Sequence, residues 1–211
     1  VVRPGCMCCA STGMAISLRG VNAHAAQPET GVSPAPVVAR LIDLLHRLPH
    51  RLGLDEGLSF ATVVGARLGD AEAFGTAPGE ARVLATLRSD RDETLERMVA
   101  FATTAVRRLA RRHGLGHEIE MRDEFAATVN APQAVDLVRR AAGGARISVP
   151  RRPFRWSEDF GRFTAIAPGA LVGLGAGERT PALHDSTYDF PDELVPVGAE
   201  LLALILGLCL V

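Results

Sequence analysis

Lysine is absent from this 211-residue chain: all 23 basic residues are arginine, spread along the sequence instead of gathered into one stripe. Against 24 acidic residues they leave a formal charge of -1, so no phosphate backbone is an expected partner and nucleic-acid binding is set aside. Cysteine is scarce as well. Four are too few for a disulfide scaffold at this length, and Cys6, Cys8 and Cys9 stand too close together to bridge one another comfortably. Such usage fits a reducing cytoplasm. The Cys-Met-Cys-Cys cluster has the softness for a metal, yet no second Cys or His pair follows at zinc-site spacing, so small buried thiols are expected. No apolar run is long enough for a membrane: residues 201–211 reach about half of the roughly 20 residues that a spanning helix needs, and they read as a buried terminal helix. No Gly-x-Ser-x-Gly elbow, Walker loop or His-Glu-x-x-His helix occurs, which removes support for serine hydrolases, P-loop enzymes and helix-based zinc proteases. A basic-then-apolar leader is missing too, and the chain opens on Val1 with no initiator Met, which reads as a cut start.

What is present is a foldable globular composition, 47% apolar and 22% charged, with 21 Gly and 13 Pro set singly between periodic segments. Met14, Ile16 and Leu18 alternate with polar or small residues, which predicts a strand over 13–19. Ser33 and Pro34 then open a helix whose apolar positions run from Val37 to Leu48, with Ser33 as N-cap and Pro49 as stop. Runs 58–68 and 81–87 read as an antiparallel pair. Asp90 is the expected cap of a second long helix that buries Leu95, Met98, Val99, Ala102, Val106 and Leu109. Its last turns carry Arg107, Arg108, Arg111 and Arg112, which either complement the helix dipole or form an anion patch. Ile119 and Met121 mark one more strand. This β-α-β-β-α-β order is the ferredoxin-like arrangement, with both helices on one face of the sheet. The rest alternates as helix 132–142, strand 146–149, helix 157–166, strand 170–174 and helix 192–210. That is α/β with too few strands for a doubly wound sheet, so the expected class is α/β (α+β) with an incomplete tail.

Two histidines stand out. His24, in Val-Asn-Ala-His-Ala-Ala-Gln-Pro, is presented from a loop, either as an ordinary surface residue or as a catalytic or substrate-binding one. His184, with Asp185 and Asp189 nearby, has the makings of a metal ligand with acids to orient it. Glu158 and Asp159 follow Ser157 at a helix start, where they serve either the dipole or a site. The Gly173-Leu174-Gly175-Ala176-Gly177 run lacks the following helix and distant acid of a dinucleotide site.

Together, Gly20-Val21-Asn22-Ala23-His24-Ala25-Ala26-Gln27-Pro28-Glu29 with Gly31, then Trp156-Ser157-Glu158-Asp159-Phe160, the 173–177 run and Leu183-His184 resemble the dimetal amidohydrolase and zinc carboxypeptidase family of hippurate hydrolases and N-acyl-amino-acid amidohydrolases. The resemblance implies that 1–12 is a catalytic-domain remnant and linker, 13–125 a lid that dimerises, and 126–211 the tail of a zinc-binding catalytic domain. It implies His24 as the catalytic lid histidine that reaches the substrate carbonyl, commonly in the partner subunit, Arg88 and Gly175 as substrate-binding residues, and His184 as a metal ligand. The complete enzyme would hold two Zn²⁺ or other divalent ions and cleave N-acyl amino acids or small peptides as a homodimer. The family's other ligands and its general base have no match here, so the expectation is that this chain binds no stable dimetal centre and is inactive by itself. The alternative expectation is a non-catalytic dimerisation or regulatory module that pairs with a full-length relative. One departure stands in the second hairpin, where Gly75-Thr76-Ala77-Pro78 lacks the Asn that many relatives place before the Pro.

Overall fold

The computed structural model describes residues 1–54, 56–70 and 73–210, so Val211 of the terminal apolar run lies outside it. In chain order the elements are β1 (Gly5–Cys8), β2 (Ala10–Arg19), β3 (Ala23–His24), α1 (Ala35–His46), α2 (Leu48–Arg51), β4 (Ser59–Leu68), β5 (Thr76–Ala77), β6 (Glu80–Ser89), α3 (Asp92–Arg112), β7 (Gly116–Phe125), β8 (Thr128–Asn130), α4 (Pro132–Ala142), α5 (Gly161–Thr164) and α6 (Leu194–Cys209). They fall into two units. One comprises residues 8–127 with 154–158, the other 1–7, 128–153 and 159–211.

The first unit is built on a four-stranded sheet of order β4-β6-β2-β7, antiparallel throughout, which is the ferredoxin-like βαββαβ arrangement that the periodicities predict. The alternation expected of a sheet with helices on one face is clearest in β6. Along β6, Ala81, Val83, Ala85 and Leu87 are buried while Glu80, Arg82 and Leu84 are exposed. Met14 and Ile16 of β2 lie opposite Ala85 and Val83 in register. Over this face α1 lays Val37, Val38, Leu41, Leu44 and Leu45, and α3 lays Leu95, Met98, Ala102 and Val106. Ile16, Leu41, Leu87 and Met98 are fully buried, each contributing about 2 kcal/mol. The opposite face of the sheet is free of helices.

The two sheet edges differ. On β4 the stretch from Ser59 to Ala66 carries no charge, and a bulge interrupts it at Val64, between the pairs Val63–Ala85 and Gly65–Leu84. The β7 edge carries Glu118, Glu120, Arg122, Asp123 and Glu124. It has its own bulge between the pairs Gly13–Arg122 and Ser11–Phe125, with Asp123 at φ 50°.

Several expected helix signals are displaced. Ser33 Oγ accepts the Ala35 N–H at 3.3 Å, but Pro34 occupies the cap position. Pro49 does not end the helical run; the chain turns straight into α2. Asp90 does not cap α3. Its Oδ2 accepts the Leu58 N–H at 3.2 Å, and the helix starts at Asp92, whose Oδ1 accepts the Ala127 N–H at 2.8 Å. In both cases a carboxylate is drawn to a tertiary donor that local sequence does not reveal.

The second unit pairs β1 with β8 and packs Val2, Val135 and Val138 with the partly buried Ile147, Ala170, Val172 and Ile205. Neither 146–149 nor 170–174 forms a strand. They run as extended segments, tied by Val2 N–H to the Ser148 carbonyl (3.1 Å) and Gly173 N–H to the Val1 carbonyl (2.9 Å). Asn130, 1% exposed, joins the pieces: its amide donates to the Arg3 and Leu171 carbonyls and accepts the Leu171 N–H. The helix expected over 157–166 is only α5, because Ser157 Oγ is bonded elsewhere. Nor is the terminal helix buried. No residue of α6 is fully covered, and Leu202 and Leu206 are 68% and 59% exposed, since only Leu194, Gly198, Leu201, Ile205 and Leu208 are partly covered. No helix among the described residues is long and apolar enough to cross a membrane.

Candidate functional site

His24 sits on β3, opposite Thr76 of β5 in a two-stranded ladder. The base of this loop is pinched. Gly20 N–H donates to the Gly79 carbonyl (2.6 Å) and Asn22 Oδ1 accepts the Gly79 N–H (2.5 Å). A Cβ at Gly20 would stand 1.9 Å from the Val32 carbonyl oxygen, and one at Gly79 would stand 2.7 Å from the Asn22 nitrogen, so only glycine permits these approaches. The imidazole itself is exposed. Its Nδ1 accepts the Ala26 N–H at 3.1 Å, so the neutral ring carries its proton on Nε2 and presents a single N–H outward.

Arg88 lies near the other end of β6. Its Nη1 donates to Ser157 Oγ (2.8 Å) and to the Arg155 carbonyl (3.3 Å). Arg155 in turn lays its guanidinium over the Phe60 ring, 4.1 Å from the centroid. Ser157 is thus the anchor of an arginine and not a helix cap. Between Glu80 and Arg88 lie eight steps of strand, about 26 Å. The fold therefore places Arg88 toward the far end of β6 from the β3–β5 ladder that carries His24 and does not bring the two together.

In the second unit His184 is exposed and adopts φ 75°, in the left-handed region that histidine enters more readily than branched residues. Asp185 does not orient it. The Asp185 carboxylate accepts the Thr187 N–H (2.9 Å) and hydroxyl (2.7 Å), and those bonds, the backbone one first, hold it below the usual carboxylate range. Gly175 lies in an exposed stretch where a Cβ would meet nothing within 4 Å. Cys8 and Cys9 are fully buried, as expected of small thiols. Burial pushes Cys8 up to about 12, with Glu158 adding, and Cys9 up to about 11, with Asp90 adding and Arg88 and Arg155 opposing.

Residues 10–114, a helix-backed sheet with a pinched histidine loop, match the M20 peptidase dimerisation domain. The chain belongs to the M20 peptidase family. Among curated M20-like relatives, a protein of Synechocystis named a probable hydrolase is 23% identical over 213 residues, covering 96% of this chain and 53% of its own length. N-acetyldiaminopimelate deacetylase of Exiguobacterium sibiricum is 22% identical over 200 residues, covering 95% and 54%. The chain thus spans about half the length of these two relatives. A dinuclear metal-binding M20 peptidase of Bacillus subtilis superposes with a TM-score of 0.71 at 15% identity, over 97% of this chain and 51% of that one. These likenesses bear out the α/β class and the ferredoxin-like lid.

An M20 dinuclear centre does not fit the residues at hand. Among the described residues no group of three or more His, Cys, Asp or Glu is placed to hold a metal ion. His184 belongs to no such group, and Asp185 is bonded to Thr187 instead. Sequence reading also missed Arg155 and the Arg88 partner Ser157, whose roles depend on a segment about 70 residues from β6; the Trp-Ser-Glu-Asp spacing alone points to a helix start. Asn22, two residues ahead of His24, was the available signal for the pinched loop.

Proposed function

We propose that this chain is the dimerising, substrate-positioning part of an M20 hydrolase that cleaves the amide bond of N-acyl amino acids or small peptides, with His24 acting across a homodimer. The observation that carries this reading is the fixed tautomer of His24 on an exposed, rigid loop. An Nε2–H held outward is suited to donate to the scissile carbonyl oxygen and to the oxyanion it becomes. Arg88 supplies a planar fork for a substrate carboxylate, with Ser157 fixing its direction. The separation along β6 means that one small substrate cannot touch both residues in a single copy, which favours His24 of one copy working with Arg88 of another. Gly175, with open space where a Cβ would project, suits close approach of a substrate backbone.

Two zinc or other divalent ions would supply Lewis-acid activation of water in the complete M20 site. Of that site this chain offers His184, so no hydrolysis is assigned to the 211 residues alone, and the regulatory reading, a module that pairs with a full-length relative, is retained for the same reason. The uncharged β4 edge is the proposed dimer seam, and a reducing cytoplasm the proposed setting, since the four cysteines form no disulfide. Sedimentation of the pure chain tests the shared site: the expected mass is about twice 22.4 kDa, with no turnover of hippurate or N-acetyl amino acids in added Zn²⁺. A monomer at all micromolar concentrations, or turnover by the pure chain, would overturn this reading.

A further inference from the structure

A concavity of about 830 Å³ opens on the helix-free face of the sheet, beside the His24 loop, and Asn22, Thr76, Ser17, Arg67, Arg82 and Phe74 are among its lining residues. Thr76, the ladder partner of His24, lines the cavity, so the cavity reaches the ladder that carries the imidazole. Two features of this cavity are unusual for an ordinary solvated surface. Arg67 of β4 and Arg82 of β6 are direct register partners, a like-charge pair that costs stability unless something compensates it. Phe74, at 93% exposure, offers a whole aromatic ring to solvent.

Among the described lining residues Arg19, Arg67 and Arg82 face two carboxylates, Asp70 and Glu80, so the cations are in excess by one. Arg67 reaches Asp70 (3.1 Å) and the Gly69 carbonyl (3.3 Å). Glu118, in the same cross-strand row beyond Ser17, is taken by Arg19 at 2.9 Å. Glu120 is bonded to Arg122, whose contact holds its carboxyl below the usual range with a smaller contribution from Arg82. The Arg82 side chain makes no hydrogen bond or ion pair among the described residues. The side chain opposite it on β2 is only Ser17, which leaves the guanidinium face open toward the cavity.

We propose that Arg82, assisted by Arg67, forms an anion subsite that takes a carboxylate carried on a short apolar chain, with Phe74 covering the chain. The inference rests on the His24 reading and extends it: with the amide carbonyl at His24, the carboxylate on the acyl side falls into this cavity, so the substrate class is an N-acyl amino acid whose acyl group is itself acidic. A planar guanidinium selects such a group by a forked hydrogen bond, and the paired cations reward its charge.

The probe is glutaramate, which joins a carboxylate to a primary amide through three methylenes, with the uncharged diamide glutaramide as control. In ¹H–¹⁵N spectra of the full chain, glutaramate is expected to shift the Ser17, Thr76 and Arg82 amides saturably, and glutaramide to bind at least tenfold more weakly. Arg82→Gln is expected to weaken glutaramate about tenfold and Arg82→Lys to restore part of the loss, both residues lying on an exposed strand face that tolerates them. Equal binding of the two probes, no saturable shift, or indifference to Arg82→Gln would overturn the subsite. Saturable, Arg82-dependent binding that leaves the His24 ring resonances unmoved would keep the subsite and count against the His24 reading instead.

Discussion

At the scale of single residues, Cys8 and Cys9 show burial turning a reactive group into packing material. Both thiols are fully covered, and their ionisation is pushed up to about 12 and about 11 from an ordinary 9.0. The unfolded chain therefore loses these protons from pH 9 upward while the folded chain keeps them, so their contribution to stability is complete below pH 9 and drains away as pH rises toward 11 to 12. Melting temperature is expected to fall steeply between pH 9 and 11, and less steeply in Cys8→Ala/Cys9→Ala. At pH 8 iodoacetamide should label the exposed Cys209 in the native chain and reach Cys8 and Cys9 only after denaturation, as read by peptide mass spectrometry. Gly20 makes the complementary case. Gly20→Ala forces a methyl against the Val32 carbonyl, so urea unfolding should show a loss of about 2 kcal/mol together with displacement of the His24 ring signals. That pinch was only half legible: the glycines are visible in the sequence, but the contact that makes Gly79 obligatory joins residues nearly 60 positions apart.

At the scale of elements, the sequence announces what is amphipathic. β6, α1 and α3 each bury one face, and the periods of two and 3.6 are readable in Met14-Ile16-Leu18 of the more deeply covered β2 or in Leu95-Met98-Ala102. The second unit was harder to read because its segments have little pattern to show. The short 146–149 and 170–174 segments are held by a few backbone bonds and by Asn130 instead of a ladder, and β1 crosses a cysteine cluster that suggests chemistry before it suggests a strand. The edge strand β4 carries the clearest element-level prediction. Val64 is 63% exposed, so Val64→Arg should leave the unfolding free energy of the monomer, read by urea titration, within about 0.5 kcal/mol of wild type. If β4 is the seam, the same change should move the sedimenting species from dimer to monomer.

At the scale of the whole molecule, the chain combines an M20 dimerisation domain with a unit in which no described group of three or more His, Cys, Asp or Glu could hold a metal ion. Because no described cluster holds a metal, overnight dialysis against EDTA should leave the melting curve unchanged, whereas a drop of several degrees would reveal a structural ion. The candidate site was legible as residue types and not as an arrangement. His24 and Arg88 are conspicuous one at a time, but their separation along β6 emerges only once the strands are laid side by side, and it is that distance which calls for two copies. The unlike edges of the sheet then bear on how many copies come together. An edge free of charge on β4 invites one neighbour, while the acidic β7 edge and its bulge turn away the next. With β4 as the proposed seam, a sheet of this design would pair once and stop, and the charges on β7 would then guard the protein against growing into a fibre.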